Sequence, residues 1–187
     1  PCYSCDLGDF KALEVIIKEI VKKHGPLHGL IHTAGLNRDS FLANKSLHTF
    51  QKVLSPKITG TWALDRCLKD QPLEFFILFS SISTIFGQVG QSDYATANGF
   101  LDKFAARRNS LVESGLRKGF SVSIAWPFWQ DGGMQIPDYE YTVLRERLGL
   151  GKMPSSVALD LLETALSYNS HHLIAYYGIK HLHKVLA

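Results

Sequence analysis

The chain has 187 residues, of which 45% are hydrophobic and 20% are charged, and this is enough for one globular core. The net charge of +3 is small, and no stripe of lysine and arginine interleaved with aromatic residues indicates a nucleic-acid partner. No apolar stretch approaches the ~20 residues that a membrane helix needs, and no signal-peptide pattern opens the chain. We therefore expect a soluble, cytoplasmic, single-domain protein.

The cysteines and histidines indicate neither a disulfide framework nor a metal site. Three cysteines, Cys2, Cys5 and Cys67, are too few and odd in number for paired bridges, which agrees with a reducing compartment. The "CYSC" pair has no second pair, and residues three apart in a strand point to opposite faces. The eight histidines are scattered and lack ligand spacing. We expect no bound metal.

In chain order, short hydrophobic runs alternate with amphipathic stretches. The hydrophobic runs predict strands at 2–5, 27–35, 73–79, 119–127 and 172–179. The amphipathic stretches predict helices at 9–24, 46–68, 93–111 and 156–168, the second of them kinked by Pro56 just before Lys57. Strands separated by helices predict an α/β protein with a mainly parallel, doubly wound sheet.

The run "LEFFILFSS" ends in two serines, and a tyrosine and an asparagine follow on the next predicted helix. Ser81 lies at the end of this strand, at the sheet edge where open α/β sheets bind ligands. Tyr94 and Asn98 are four residues apart and share one helix face. Lys57 follows the kink of the second helix, which can direct it to the same edge. These four polar residues are the candidate catalytic group.

A serine and a tyrosine can together bind a substrate carbonyl, stabilise the alkoxide that develops on it and supply a proton. A nearby ammonium such as Lys57 stabilises the phenolate and makes the tyrosine proton easier to give. Such a site lacks an electron source, which a nicotinamide cofactor would provide. Each residue also has an ordinary alternative role: Tyr94 as a core or rim aromatic, Ser81 as a turn cap, Lys57 as a solvated charge and Asn98 as a partner of a backbone group.

Three stretches, "LHGLIHTAGLNRD", "VLSPKITGTW" and "FSSISTIFGQVGQSDYATANGFLD", together resemble the ketoreductase domain of modular polyketide synthases. This family is a branch of the short-chain dehydrogenase/reductase superfamily and has a Rossmann-like fold. The resemblance covers nearly the whole chain and includes YxxxN in place of the more usual YxxxK. It implies that Tyr94 is the proton donor, Ser81 the carbonyl anchor, Lys57 the group that tunes the tyrosine, and Asn98 part of the supporting network.

The resemblance also implies a nicotinamide cofactor, NADPH by the family's preference. Its contacts would be the adenine-flanking pair Asp6 and Leu7, the turn residues Thr33, Ala34 and Gly35, the ribose partners Lys57 and Tyr94, and the nicotinamide neighbours Pro127 and Phe128. A glycine at position 35 suits close approach of backbone to a ligand, and an ordinary turn glycine is the alternative.

The family's glycine-rich phosphate loop does not occur in this sequence. Family members begin with a strand, a glycine-rich turn, a helix and a second strand, and this chain resembles the part that follows them. We therefore expect residues 1–187 to be one catalytic-domain fragment whose first βαβ portion lies upstream. Residues 127–154 suit a mobile lid with an amphipathic segment, or an ordinary surface loop.

Stereocontrol in the family involves two positions. Asp39 matches only the last aspartate of the LDD pattern of B-type enzymes, and Phe86 stands where A-type enzymes carry tryptophan. The resemblance thus implies a B-type, D-hydroxy product, with a plain loop carboxylate as the alternative for Asp39. Trp129 and Met134 in the lid offer apolar contacts to the substrate.

In the family the substrate is a β-ketoacyl chain carried by an acyl carrier protein, and other synthase domains are neighbours. Carrier proteins are acidic, so Arg145, Arg147 and Lys152 are candidate contacts. Two other functions stay open. One is a catalytically silent scaffold domain of a synthase, and the other is a free-standing short-chain dehydrogenase.

Overall fold

The computed structural model describes residues 1–133, 138–178 and 183–186. The strands are β1 (Gly29–His32), β2 (Phe75–Ser81), β3 (Phe120–Trp126), β4 (His172–Tyr177) and β5 (His183–Leu186). The helices are α1 (Phe10–His24), α2 (Leu47–Lys57), α3 (Thr59–Cys67), α4 (Ser83–Phe86), α5 (Ser92–Glu113), α6 (Asp138–Leu148) and α7 (Ser155–Leu166), with a 3₁₀ turn at Leu42–Asn44. No helix in these ranges is both long and apolar enough to cross a bilayer.

The five strands form one sheet in the order β1-β2-β3-β4-β5. The first four are parallel, and β5 pairs with β4 antiparallel. The register places Ser81 opposite Trp126 at the carboxyl ends of β2 and β3. The parallel, doubly wound sheet predicted from the alternation of strands and helices is confirmed, and its carboxyl edge is where the site lies.

Each face of the sheet carries its own hydrophobic core. One core joins Ile77, Val122 and Ile124 to α7 through Leu161. The other joins Phe76 and Leu78 to α1, α3 and α5. Strand side chains alternate between the faces, so both faces of β2 and β3 are covered by helices, as expected for parallel strands. The helix that carries Tyr94, α5, packs against β2 and β3 in the second of these cores.

The boundaries of α1 follow from its end residues. Asp9 precedes the helix, and its side chain accepts hydrogen bonds from the backbone of Lys11 and Ala12. Gly25 ends it with φ +86, a conformation that suits a residue without Cβ. The sequence prediction for this helix is therefore confirmed, including its glycine stop.

Two sequence predictions about elements are wrong. Residues 2–5 form no strand, since no neighbouring strand in the described ranges pairs with them. The break of the second predicted helix falls after Lys57, because α2 continues through Pro56 and α3 begins at Thr59. The chain also adds the antiparallel β5, which the hydrophobic pattern did not reveal. Lys57 is therefore the last residue of α2.

Candidate active site

A cavity of about 250 Å³ lies at the carboxyl edge of the sheet. Thr33 follows β1, Ser81 ends β2 and Pro127 follows β3, and all three line it. Tyr94, from the first turn of α5, lines it as well. Because parallel strands end side by side, residues far apart in sequence meet here.

Eight of the residues that the sequence predicts for catalysis, cofactor binding or substrate selection line this cavity. They are Thr33, Lys57, Ser81, Phe86, Tyr94, Pro127, Phe128 and Trp129. Asn98 is fully buried one helical turn after Tyr94. The four candidate catalytic residues are thus brought to one end of α5 and the strand edge beside it.

Lys57 is buried, with 3% of its surface exposed, so the alternative of a solvated charge is wrong. Its Nζ donates a hydrogen bond to the carbonyl oxygen of Phe79 at 2.7 Å. Burial lowers the pKa of Lys57 to about 8, because the ammonium loses its hydration, and the Asp102 carboxylate opposes this shift. The side chain is therefore cationic at neutral pH, but it gives up its proton more readily than an ordinary lysine.

Tyr94 has a pKa raised above its ordinary value, chiefly because burial disfavours the phenolate. Hydrogen bonds with the side chains of Asn98 and Ser81 lower that pKa, and the Asp39 carboxylate raises it. The phenol is consequently protonated at neutral pH, which is the state that a proton donor needs.

Ser81 caps a turn and lines the cavity at once. Its Oγ accepts a hydrogen bond from the backbone N–H of Ser83 at 3.1 Å, which fixes the position of the oxygen. The hydroxyl proton is a separate donor. The turn-capping alternative is therefore correct as a contact, and it positions the oxygen at the cavity wall.

Asn98 is buried in the second turn of α5 and contacts the backbone of the first turn. Its Nδ2 donates to the backbone carbonyl of Tyr94 at 2.8 Å. The alternative role predicted for Asn98, as a partner of a backbone group, is therefore correct as a contact. Its Oδ1 is buried and accepts no hydrogen bond from the described residues. A buried acceptor without a hydrogen bond costs free energy.

His32 lies behind Lys57 and does not line the cavity, and the sequence did not indicate its contact there. It is 3% exposed at the end of β1, and its Nε2 lies 3.2 Å from the carbonyl oxygen of Pro56. Burial, and then the charge of Lys57, lower the pKa of His32 to about 4. The imidazole is therefore neutral, and Nε2–H donates to Pro56, the residue before Lys57. The only signal in the sequence was a histidine at the end of a predicted strand. Its partner, Pro56, is 24 residues away along the chain.

Some predicted cofactor contacts lie away from the cavity. The Asp6 carboxylate accepts a hydrogen bond from the backbone N–H of Gly8, and Leu7 packs against Gly60 at the start of α3. Ala34 and Gly35 follow Thr33 but do not line the cavity wall. These contacts stay predictions.

The predicted stereocontrol residues are divided. Phe86 and Trp129 line the cavity, whereas Asp39 accepts a hydrogen bond from Nε2 of Gln91, itself a lining residue that the sequence reasoning missed. Met134 lies outside the described residues. The roles of all four in substrate selection stay predictions.

Comparisons with known proteins agree with this geometry. Residues 1–131 match the family model described as the KR domain. The polyketide synthases PksN and PksL of Bacillus subtilis (strain 168) are 40% and 41% identical to this chain over 163 and 157 residues. These alignments cover 87% and 84% of the chain, but the chain spans only 3% and 4% of those relatives.

Solved ketoreductase structures have the same fold. A ketoreductase domain from the bacillaene assembly line matches with a TM-score of 0.89 and 38% identity, over 92% of this chain and 41% of that one. An N-terminal ketoreductase from the macrolactin assembly line matches with a TM-score of 0.83 and 34% identity, over 95% of this chain and 34% of that one. The chain therefore belongs to the ketoreductase domains of polyketide synthases, within the short-chain dehydrogenase/reductase superfamily.

Proposed function

We propose that the protein reduces the ketone of a β-ketoacyl thioester to a β-hydroxyacyl thioester with NADPH, during polyketide biosynthesis. The observation that carries this proposal is the convergence of Lys57, Ser81 and Tyr94 on one cavity, with Asn98 buried beside Tyr94. Each residue supplies a different element of carbonyl reduction: a cation, a hydroxyl donor, a proton source and a supporting amide.

The residues of the cavity fit a nicotinamide cofactor. Lys57 and Thr33 line the cavity, and an ammonium and a hydroxyl suit the hydroxyl groups of a ribose. Pro127 and Phe128 form an apolar wall at the end of β3 that suits the nicotinamide ring. When bound, the reduced cofactor supplies the hydride that the carbonyl carbon receives.

The chain's own residues bind and polarise the carbonyl. The hydroxyls of Ser81 and Tyr94 donate hydrogen bonds to the substrate oxygen, which becomes more negative as reduction proceeds. Tyr94 then transfers its phenolic proton to that oxygen, which leaves a phenolate on the enzyme. In this proposal the Lys57 ammonium, which lines the same cavity, stabilises the phenolate by its charge. Solvent finally returns a proton to Tyr94.

The walls of the cavity support an acyl substrate. Phe79, Trp126 and Trp129 stack in tilted and edge-on pairs with ring centroids 5.2 to 5.9 Å apart, and all three line the cavity. From α6, Leu144 and Leu148 add aliphatic surface. Burial of acyl carbons against these side chains would hold the chain while the ketone faces Ser81 and Tyr94.

The product configuration that we propose is the D-hydroxy form of B-type enzymes. The support is Asp39, held beside the cavity by Gln91, together with Phe86 in the place of the A-type tryptophan. Residues 127–154, including α6, would act as the lid over the substrate.

The partner that we propose is an acyl carrier protein bearing the substrate on a phosphopantetheine arm, alongside other synthase domains. Arg145 and Arg147 are exposed on α6, and Lys152 places its ammonium 4.7 Å from the centre of the Tyr141 ring. We expect the KM for the carrier-bound substrate to rise with salt, because attraction between exposed charges is screened. Free cysteines agree with the cytoplasm as the place of reaction.

The test is NADPH oxidation by the full-length protein with a β-ketoacyl thioester, followed by chiral analysis of the product. We expect oxidation that depends on the thioester and a D-configured alcohol. An L-configured alcohol would contradict the B-type assignment alone. Cofactor binding without turnover would favour the silent scaffold domain, and preference for a small soluble ketone over the thioester would favour a free-standing dehydrogenase.

A further inference from the structure

A buried ion pair lies next to the candidate proton donor, and nothing in the proposed reaction uses it. Nζ of Lys45 is 2.6 Å from Oδ1 of Asp93, and the two side chains are 0% and 1% exposed. Removing both charges from water is costly, and well-packed apolar residues are often at least as stabilising in such places. Breaking such a pair leaves a buried charge without its partner, so the pair holds the groups that it contacts in one arrangement.

The contacts of Lys45 connect two segments that are distant in sequence. Besides Asp93, its ammonium donates to the carbonyl oxygens of Arg38 at 2.9 Å and Gly90 at 3.2 Å. An ammonium has three N–H donors, and these three acceptors use all of them. Lys45 thereby joins the loop after β1 to the turn that precedes α5.

Asp93 transmits this connection to the proton donor. The same Oδ1 that binds Lys45 accepts a hydrogen bond from the backbone N–H of Tyr94 at 2.9 Å. A carboxylate in the first turn also interacts favourably with the helix dipole. The backbone of Tyr94 is thus held by the group that Lys45 holds.

Two further hydrogen bonds hold the same loop against the same turn. The backbone N–H of Ser40 donates to the carbonyl of Gly90 at 3.1 Å, and Gln91 donates to the Asp39 carboxylate at 3.0 Å. Gly90 has φ +82, and a Cβ there would lie 3.2 Å from the Ser40 nitrogen. A residue other than glycine at this point would strain the contact between the two segments.

Both segments are walls of the catalytic cavity. Asn37 lines it from the loop after β1, while Gln91 and Tyr94 line it from the turn and the start of α5. The distance between these walls limits the orientations that a substrate ketone can adopt beside Tyr94. A change in that distance would alter which carbonyl face is reduced, because the two faces differ only in the orientation of the substituents.

We propose that the Lys45–Asp93 ion pair is a positioning device that holds the loop of residues 37–40 against the start of α5 and thereby determines which face of the ketone is reduced. The proposal rests on the proposed ketoreductase function. Lys45 and Asp93 are positioning residues, since they act through Tyr94 and the loop and touch no reacting atom.

The first experiment measures the ratio of product enantiomers in Lys45→Met and Asp93→Asn, in the full-length protein. This ratio does not depend on how much protein is folded. We expect the ratio to fall at least about fivefold in both variants, as the fixed wall becomes mobile, while the NADPH dissociation constant stays within about twofold. Lys45→Arg should restore most of the ratio, and Lys18→Met, which breaks the exposed pair with Glu14 on α1, should leave it unchanged. An unchanged ratio in Lys45→Met and Asp93→Asn would overturn the proposal.

A second measurement separates this proposal from the proposed function. Amide hydrogen exchange should accelerate at Ser40 and Tyr94 in Lys45→Met but not in Lys18→Met, whether or not the protein is active. Unchanged exchange at both amides would overturn the positioning role. A parent protein that binds NADPH but reduces no ketone would overturn the proposed function and the stereochemical part of this inference, while the exchange rates would still decide the positioning part.

Discussion

The two ends of α5 both bury strongly polar side chains, but they differ in how completely these side chains are hydrogen-bonded. At the carboxyl half, Arg108 is 1% exposed, and each of its three guanidinium nitrogens donates at least one hydrogen bond. Burial shifts pKa values at both ends, lowering that of Arg108 and raising that of Tyr94. Only at the amino end does the helix bury an acceptor, Oδ1 of Asn98, that has no partner in the described chain. The same helix therefore carries one network in which every guanidinium nitrogen is hydrogen-bonded and another that leaves buried acceptors without partners in the described chain.

The Arg108 network uses all three guanidinium nitrogens as donors. Its Nε donates to Oδ1 of Asp65 at 2.9 Å, Nη1 donates to the carbonyl of Gly119 at 2.7 Å and to Oγ of Ser121 at 2.9 Å, and Nη2 donates to the carbonyl of Lys118 at 2.8 Å. These contacts fasten α5 to α3 and to the start of β3. No cavity-lining residue takes part, so the network is structural.

The two ends of α5 differ as structural and reactive polar clusters are expected to differ. A structural cluster satisfies its donors and acceptors, because each one left unmatched costs free energy. An active site keeps charged or polar groups in states that favour reaction over stability. The amino end of α5 meets the second description, and it faces the cavity.

The largest expected effect on stability is that of Arg108→Met. Removing this guanidinium leaves the buried Asp65 carboxylate with fewer partners, so we expect the free energy of unfolding to fall by about 3–5 kcal/mol. Arg107→Met, at the exposed neighbouring position, is the matched control and should change it by less than about 0.5 kcal/mol. Chemical denaturation measures both. A loss below about 1 kcal/mol for Arg108→Met would contradict the structural role of the network.

The next effect concerns His32 and acid. Its pKa of about 4 in the folded protein lies below the ordinary value of 6.5, so between these two pH values the unfolded chain binds more protons. His32 should therefore contribute about 3 kcal/mol to the fall in the free energy of unfolding as pH drops from about 6.5 to about 4. His32→Asn, which keeps an N–H donor, should remove this part of the acid loss, whereas His24→Asn at an exposed position should not. Equal acid loss in the parent and His32→Asn would contradict the burial of a neutral imidazole.

A smaller effect, of opposite sign, is expected for Lys57→Met. The pKa of Lys57 is lowered to about 8, so its charged form destabilises the folded protein at pH 7. Removing that cost and the hydrogen bond to Phe79 together should raise the free energy of unfolding by about 1–2 kcal/mol while turnover is lost. Lys52→Met, on the exposed side of α2, should change neither property. A less stable Lys57→Met protein would place this lysine with the structural group at the other end of α5.

The sequence predicts those features of the site that depend on local pattern. Ser81 and Tyr94 could be located because one ends a hydrophobic run and the other begins a helix. His32 and Pro56 are 24 residues apart, Asp65 and Arg108 are 43 apart, and these contacts follow only from the packing of the elements.

The loop–helix contacts could not be predicted for the same reason. Lys45 and Asp93 are 48 residues apart, and the fold alone brings them together. The strand predicted at residues 2–5 was wrong because hydrophobic pattern indicates a tendency to pair but does not provide a neighbouring strand.

The most direct test of this account compares Tyr94→Phe and Arg108→Met in one assay of thioester-dependent NADPH oxidation, expressed per folded molecule. We expect Tyr94→Phe to melt within a few degrees of the parent and to lose at least about 100-fold in turnover, since it lacks the acidic proton. Arg108→Met should melt lower and keep turnover within about threefold. Tyr168→Phe, at an exposed tyrosine, is the control for the loss of a hydroxyl. Turnover in Tyr94→Phe close to that of the parent would contradict the assignment of the proton donor and the division between the two ends of α5.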